Sequence, residues 1–201
     1  MLRRSRELFH GLGCTDLALT DDSRKLIYED ESGAYRFILA KASDVPVYVE
    51  HGVADAGIVG LDVLQEMGSD VYAPLPLGFG CCRIVVAAPR ARQNLDLRLH
   101  NGVRIGTKYP QIAREHFLRK GVTVEIIPLS GSVELAPAVG LSDLLVDIVD
   151  TGRTLRENDL VEIEEIMDSQ AYLIVNRASY AIKGTAVTAL IEGLAPLVAG
   201  D

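Results

Sequence analysis

Leu144 to Asn158, LLVDIVDTGRTLREN, reads as an apolar strand, a polar turn and the start of a helix. The strand Leu144 to Val149 runs into Asp150, and Thr151-Gly152-Arg153-Thr154 leads into the helix. A turn of this kind aims free backbone N–H groups at one point, at the positive end of a helix dipole. Gly152 lets backbone approach an anion closely, and the hydroxyls of Thr151 and Thr154 add donors. Arg153 can pair with phosphate oxygens. Asp150, at the strand's end, can accept from ribose hydroxyls or hold a metal ion. These parts suit a 5-phosphoribosyl group. A plain strand–turn–helix capped by threonine, common to many folds, has the same spacing.

Outward from this stretch, strands and helices alternate. Toward the N-terminus the pattern predicts strand Val103 to Gly106, helix Pro110 to Lys120, strand Val122 to Ile127 and a short helix Glu134 to Val139. Earlier still come a helix with Leu2, Leu8, Phe9 and Leu12, strand-like runs at Leu17 to Leu19 and Arg36 to Ala40, and a polar stretch between those runs. A helix starts at Asp44-Val45-Pro46, where Asp can cap and Pro suits a first turn. Ala56 to Val59 is a short strand, Asp62 opens a helix, Val71 to Leu77 is extended, and Arg83 to Ala88 is strongly β-prone. Beyond the opening stretch, Val161 to Met167 and Tyr172 to Val175 are expected to pair, and Tyr180 to Val198 to form one terminal helix. Such alternation predicts an α/β protein of parallel sheets with helices on their faces. Gly52-Val53-Ala54-Asp55 before one strand and Gly140-Leu141-Ser142-Asp143 before another form a weak internal echo, the trace expected of two similar lobes with a cleft between them.

The 201 residues suffice for one domain or two small lobes, and 48% hydrophobic with 24% charged residues is ordinary for a soluble globular chain. A net charge of −8 argues against nucleic acid as the main partner, because neutralising phosphates needs a basic surface. It leaves room for small anions, which a few local cations and N–H groups can hold. The first fourteen residues carry charge and no long apolar core, so neither a signal peptide nor a membrane span is expected. Three cysteines, Cys81 and Cys82 adjacent, give neither metal spacing nor a disulfide framework, and a cytoplasmic location is expected. His10, His51, His100 and His116 show no metal spacing.

Glu134 to Asp143 (ELAPAVGLSD) followed by Asp147 to Leu155 (DIVDTGRTL) resembles the signature of the ATP phosphoribosyltransferases of histidine biosynthesis. Asp44-Val45-Pro46 with Tyr48-Val49-Glu50, Ala54 to Gly60 with Asp62, Leu77 to Gly80 with Cys82-Arg83, and Thr107 to Pro110 resemble the same family in the same order. The resemblance covers nearly the whole chain. It implies a two-lobed α/β fold like type II periplasmic binding proteins, with the active site in the interlobe cleft. Lobe 1 would comprise residues 1–83 and 165–201, and lobe 2, residues 84–164, would carry the phosphoribosyl-binding turn. Longer members add a C-terminal histidine-binding domain. This chain, ending at Asp201, is similar to the short form, which works with a histidyl-tRNA-synthetase-like regulatory subunit as a homodimer within a hetero-oligomer. Two departures stand out. The family usually begins with a strand ending in Lys-Gly-Arg, and this chain starts just after it, so either the start lies upstream or the site lacks an edge. Leu61 stands where a lysine is expected.

The resemblance implies attack of ATP's adenine N1 on the anomeric carbon of phosphoribosyl pyrophosphate, with Mg2+ on the departing pyrophosphate rather than in a protein cage. By the same resemblance, Thr151, Gly152, Arg153 and Thr154 hold the 5-phosphate and Asp150 the ribose. Glu134 and Asp147 are further substrate-binding candidates, Glu134 toward ribose or metal. Arg24 and Lys41 are candidate catalytic cations for pyrophosphate, with Lys108 and Asp62 as substrate-binding candidates. For Arg24, Lys41 and Lys108 a solvated surface charge is the competing reading, and for Asp55 and Asp62 a helix cap. Two other functions stay open on residues alone. A type I phosphoribosyltransferase also uses an Asp, Thr-Gly-x-Thr turn, but commonly with adjacent acids and a longer loop. A non-catalytic two-lobed binding module has little need for such a turn.

Overall fold

The computed structural model describes residues 1–14, 25–94 and 102–199. In chain order its elements are α1 (Leu2–Gly11), β1 (Ile27–Glu29), β2 (Arg36–Ile38), α2 (Val45–Glu50), β3 (Ala56–Gly60), α3 (Leu61–Met67), β4 (Tyr72–Pro76) and β5 (Cys82–Pro89). There follow β6 (Val103–Thr107), α4 (Pro110–Arg119), β7 (Val124–Pro128), α5 (Leu135–Ala138), β8 (Leu144–Val149), α6 (Arg153–Glu157), β9 (Leu160–Ser169), β10 (Ala171–Val175), α7 (Arg177–Ile182) and α8 (Gly184–Ala199). They fall into two compact units, Met1–Gly80 with Gln170–Asp201, and Cys81–Ser169.

The first unit holds an antiparallel sheet in the order β3-β10-β4, with β1 and β2 paired separately. Successive residues of β10 point to opposite faces, as a strand requires. Leu173 and Val175 join Leu77, Phe79, Val187 and Leu194 on one side, while Ile174 joins Val49, Val59 and Leu64 on the other. A Cβ at Gly57 would lie 2.7 Å from Val45 Cγ1 of α2, so glycine there lets the helix close onto the sheet.

The second unit is a five-stranded sheet in the order β7-β6-β8-β5-β9. Its central strands are covered on both faces: Ile84, Val86 and Ala88 of β5 enter one core with Ile105 and Phe117, and Val85 and Ala87 enter the other with Leu145 and Leu155. All five of those β5 residues are fully buried. Burying a side chain the size of valine or isoleucine contributes about 1.5–3 kcal/mol, which makes β5 the strand this unit can least spare.

Several expectations need correction. The sheets are not uniformly parallel. Among the described strands the parallel pairs are β6 with β7 and β6 with β8, while β5 is antiparallel to β8 and β9. Val161 to Met167 and Tyr172 to Val175 do not pair with each other. The first lies in β9 against β5, and the second lies in β10 between β3 and β4, because the chain changes units at Ser169 and Gln170. The single terminal helix is two, broken at Lys183, whose ammonium is drawn to Asp55, 2.9 Å away. The polar stretch before Arg36 contains a strand, β1, and the run Leu17 to Leu19 lies outside the described residues. The internal echo has a structural counterpart. Gly52 and Gly140 both follow a short helix and take left-handed φ values of 70° and 74°, and each is followed three residues later by an aspartate that leads into a strand.

Candidate functional site

Because β7, β6 and β8 are parallel neighbours, their carboxyl ends lie at one edge of the second unit's sheet. In open α/β sheets this is the edge where ligands bind. Three segments leave the sheet here: Lys108-Tyr109 after β6, Leu129 to Glu134 after β7, and Asp150 to Gly152 after β8. Thr107, fully buried, ties two of them together. Its carbonyl accepts from Leu129 N–H at 2.8 Å and its hydroxyl from Tyr109 N–H at 2.8 Å, which leaves Lys108 exposed at the bend. At Gly106 a Cβ would stand 3.2 Å from that of Ala136, so glycine lets α5 come down beside β6 with Glu134 at its start.

The turn after β8 is built around Gly152, whose φ of 70° and ψ of 12° are left-handed, a conformation that favours glycine. Gly152 itself is the N-cap of α6, with no side chain capping the helix. The plain threonine-capped turn is therefore not what forms. The hydroxyls of Thr151 and Thr154 make no hydrogen bond with the described residues, and both residues are exposed, as is Asp150. Leu155 roots the short helix in the core, and Asn158 Nδ2 donates to Thr154 O at 2.9 Å.

Asp147 is half-buried on β8. Burial pushes its carboxyl up from the ordinary carboxylate range, and the nearby charge of Glu134 pushes the same way. A hydrogen bond from Ile148 N–H at 2.8 Å and the ammonium of Lys108 oppose them. Glu134 and Lys108, both distant from Asp147 in sequence, thus lie near enough for their charges to act on its carboxyl.

The structure distributes the remaining candidates differently. Arg153 lies along α6, its Nε donating to Glu157 Oε1 at 3.0 Å, with its side chain 80% exposed. Lys41 is exposed in the first unit, where its carbonyl accepts from Asp44 N–H at 2.8 Å. Asp62 is only 7% exposed at the start of α3, where its carboxylate fills the space a side chain at Gly60 would need. Asp55 directly precedes the strand β3, not a helix. Its carboxylate accepts from Ser179 Oγ at 2.6 Å and from Lys183, and these partners hold it below the ordinary range. Arg24 lies outside the described residues. Two features at the edge were not singled out from sequence. One is Arg156, which reaches back to the Thr151 carbonyl. The other is Ser130-Gly131-Ser132, where Ser132 has a φ of 47°. Among the described residues no three His, Cys, Asp or Glu gather as a metal cage, and no helix is long and apolar enough to cross a membrane.

Residues 41–196 match the family model HisG, described as ATP phosphoribosyltransferase. An ATP phosphoribosyltransferase of Syntrophotalea carbinolica is 46% identical over 202 aligned positions, spanning 100% of this chain and 92% of the relative. A chain of the ATP phosphoribosyl transferase (HisG:HisZ) complex from Thermotoga maritima aligns with a TM-score of 0.82 at 36% identity, over 98% of this chain and 94% of that one. A histidine kinase sensor domain with similarity to periplasmic binding proteins aligns at a TM-score of 0.52 and 15% identity, over 88% of this chain and 86% of its own, which speaks for the fold alone.

Proposed function

The chain belongs to the ATP phosphoribosyltransferase family, and on that premise we propose how its residues divide the work of the family's reaction. The reaction transfers the 5-phosphoribosyl group of phosphoribosyl pyrophosphate to N1 of ATP, the first step of histidine biosynthesis. A type I phosphoribosyltransferase of another pathway and a non-catalytic binding module are thereby set aside. The observation that carries the assignment of roles is the turn after β8, exposed at the carboxyl edge with two threonine hydroxyls uncommitted.

In this reading the 5-phosphate sits on the Thr151–Thr154 turn, taking hydrogen bonds from its N–H groups and from both hydroxyls. Asp150, one residue upstream, accepts from a ribose hydroxyl. The adenine N1 lone pair forms the new bond to the anomeric carbon as the bond to pyrophosphate breaks. Positive charge then grows on the ribose ring and negative charge on the leaving group. The carboxylates of Glu134 and Asp147 favour the former. Lys108, with Lys41 and Arg24 as further cations, favours the latter. Holding two anionic substrates in line supplies much of the rate.

Mg2+ is the proposed metal, carried in on the pyrophosphate. Such an ion keeps several waters and takes one or two carboxylates together with substrate phosphates. Glu134 and Asp147 suit it, since Asp147 is a half-buried acid beside a second acid that a cation would relieve. Once bound, Mg2+ supplies neutralising charge to the leaving pyrophosphate. The proposed assembly is a homodimer of this chain with a regulatory subunit similar to histidyl-tRNA synthetase, in a cytoplasmic hetero-oligomer. The Thermotoga maritima relative is itself described in a HisG:HisZ complex.

The test is turnover by Thr154→Ala and Asp150→Asn, assayed with the regulatory subunit, both substrates and Mg2+. Each is expected to lower kcat/KM by about tenfold or more, the weight of one hydrogen bond to a charged group. Near wild-type turnover in either removes the assignment.

A further inference from the structure

We propose that Arg156 is a positioning residue, whose guanidinium holds the peptide between Thr151 and Gly152 in the orientation that receives the substrate's 5-phosphate. The inference rests on the turn after β8 being the phosphate seat.

Three observations carry it. Arg156 Nη1 donates to the Thr151 carbonyl at 3.0 Å, reaching back five residues beneath the turn. A Cβ at Gly152 would lie 3.2 Å from the same Nη1, so the guanidinium occupies the side of the turn that glycine leaves open. Arg153, the other arginine of the turn, is engaged instead with Glu157.

A peptide unit is planar, so fixing the carbonyl of Thr151 fixes the opposite end of the same plane, the N–H of Gly152. Without that bond the unit is free to rotate about the flexible glycine, carrying the N–H away from the position an anion would take. Hydrogen bonds in a chain also polarise one another, so a charged donor on the carbonyl makes the Gly152 N–H a stronger donor. The helix that follows cannot supply this order alone. α6 has five residues, and helices so short depend on tertiary anchors. Its anchors are Leu155 in the core, Asn158 on the Thr154 carbonyl, and Arg156 on the Thr151 carbonyl. Of these, only Arg156 acts on the turn itself upstream of the helix. It does so from an exposed position, so its loss spares the core.

The experiment compares Arg156→Ala, Arg156→Lys and Thr154→Ala in the complex with the regulatory subunit, measuring KM for each substrate, kcat and rescue by free guanidinium at non-denaturing concentration. For Arg156→Ala the KM for phosphoribosyl pyrophosphate should rise about tenfold, as expected for one lost charged hydrogen bond, with the KM for ATP held within about twofold. Added guanidinium should restore part of the affinity, and Arg156→Lys should fall between wild type and Arg156→Ala. An unchanged KM for phosphoribosyl pyrophosphate, a parallel rise in both KM values, or absence of rescue overturns the proposal. Thr154→Ala separates this from the reading beneath it. If Thr154→Ala raises that KM and Arg156→Ala does not, only the role of Arg156 falls. If Thr154→Ala leaves it unchanged, the turn is not the phosphate seat and both fall.

Discussion

Asp143→Asn removes one negative charge at the entrance to β8 while nearly preserving shape. In the wild type, Asp143 Oδ2 accepts from the Arg104 backbone N–H at 3.0 Å and from Arg104 Nε at 3.3 Å, while Oδ1 pairs with Arg92. Asp143 N–H in turn donates to the Arg104 carbonyl at 2.8 Å, and Arg104 Nη1 donates to Gly140 O at 3.0 Å. The pair therefore closes the amino end of the parallel β6–β8 ladder. Burial pushes the Asp143 carboxyl up, but the hydrogen bonds from Arg104 and Arg92 outweigh it and bring it from 3.8 down to about 2. That gap, at ~1.36 kcal/mol per pH unit, corresponds to about 2.4 kcal/mol. The Asp143 side chain is 19% exposed and its partner Arg92 is 52% exposed, so solvent screening leaves about 1–2 kcal/mol. For a chain of 201 residues this is a drop in Tm of about 3–6 °C. The pKa is depressed, so the stabilisation is complete above the ordinary value of 3.8 and disappears as pH falls through about 2. Thermal melts followed by far-ultraviolet circular dichroism, from pH 7 down to pH 2.5, read both the size and the trend. Equal melting at pH 7, or a gap that does not narrow at low pH, refutes the electrostatic account of this ladder end.

Three further outcomes are expected. Asp147→Asn should raise Tm at pH 7 while lowering phosphoribosyl transfer about tenfold or more, a combination typical of a site residue. Its carboxyl is pushed up by burial and by Glu134, so ionisation destabilises the fold as pH rises, and the two melting curves should converge in acid; a wild type that melts above the variant at pH 7 contradicts this. Gly152→Ala should cost about 1 kcal/mol for its left-handed φ and raise the KM for phosphoribosyl pyrophosphate, as steady-state kinetics and melting will show. Ile84→Ala, at a fully buried position of β5, should destabilise the second unit by about 2–5 kcal/mol in urea denaturation, and a loss under 1 kcal/mol speaks against the packing described.

Local chemistry was legible in the sequence, and long-range pairing was not. Leu144–Val149 appears as a strand with the expected bounds, because its apolar run is closed by Asp150 and a glycine turn. Gly52 and Gly140 both need the left-handed region, which is why a four-residue echo corresponds to a repeated local structure. The separate partners of β9 and β10 are hidden in the sequence because both are β-prone runs close together, whereas their pairing is chosen by distant strands. Nothing local tells Val161 that the twice-buried β5 needs a neighbour on its open side. Asp62 illustrates a second limit. An acid at a helix start does not reveal from sequence that its carboxylate packs over Gly60, which depends on the backbone path of residues 60–62. Arg153 and Arg156 form a third case. They are the same residue type three positions apart, yet Arg156 reaches back to the Thr151 carbonyl while Arg153 pairs with Glu157 along the helix.

The most direct measurement mixes the chain with ATP, phosphoribosyl pyrophosphate, Mg2+ and the regulatory subunit, and follows the absorbance of phosphoribosyl-ATP. A signal that requires both substrates, weakens without the subunit and falls sharply in Thr154→Ala is the expected result. No product from the complete mixture, or turnover indifferent to Thr154 and Asp150, contradicts the account.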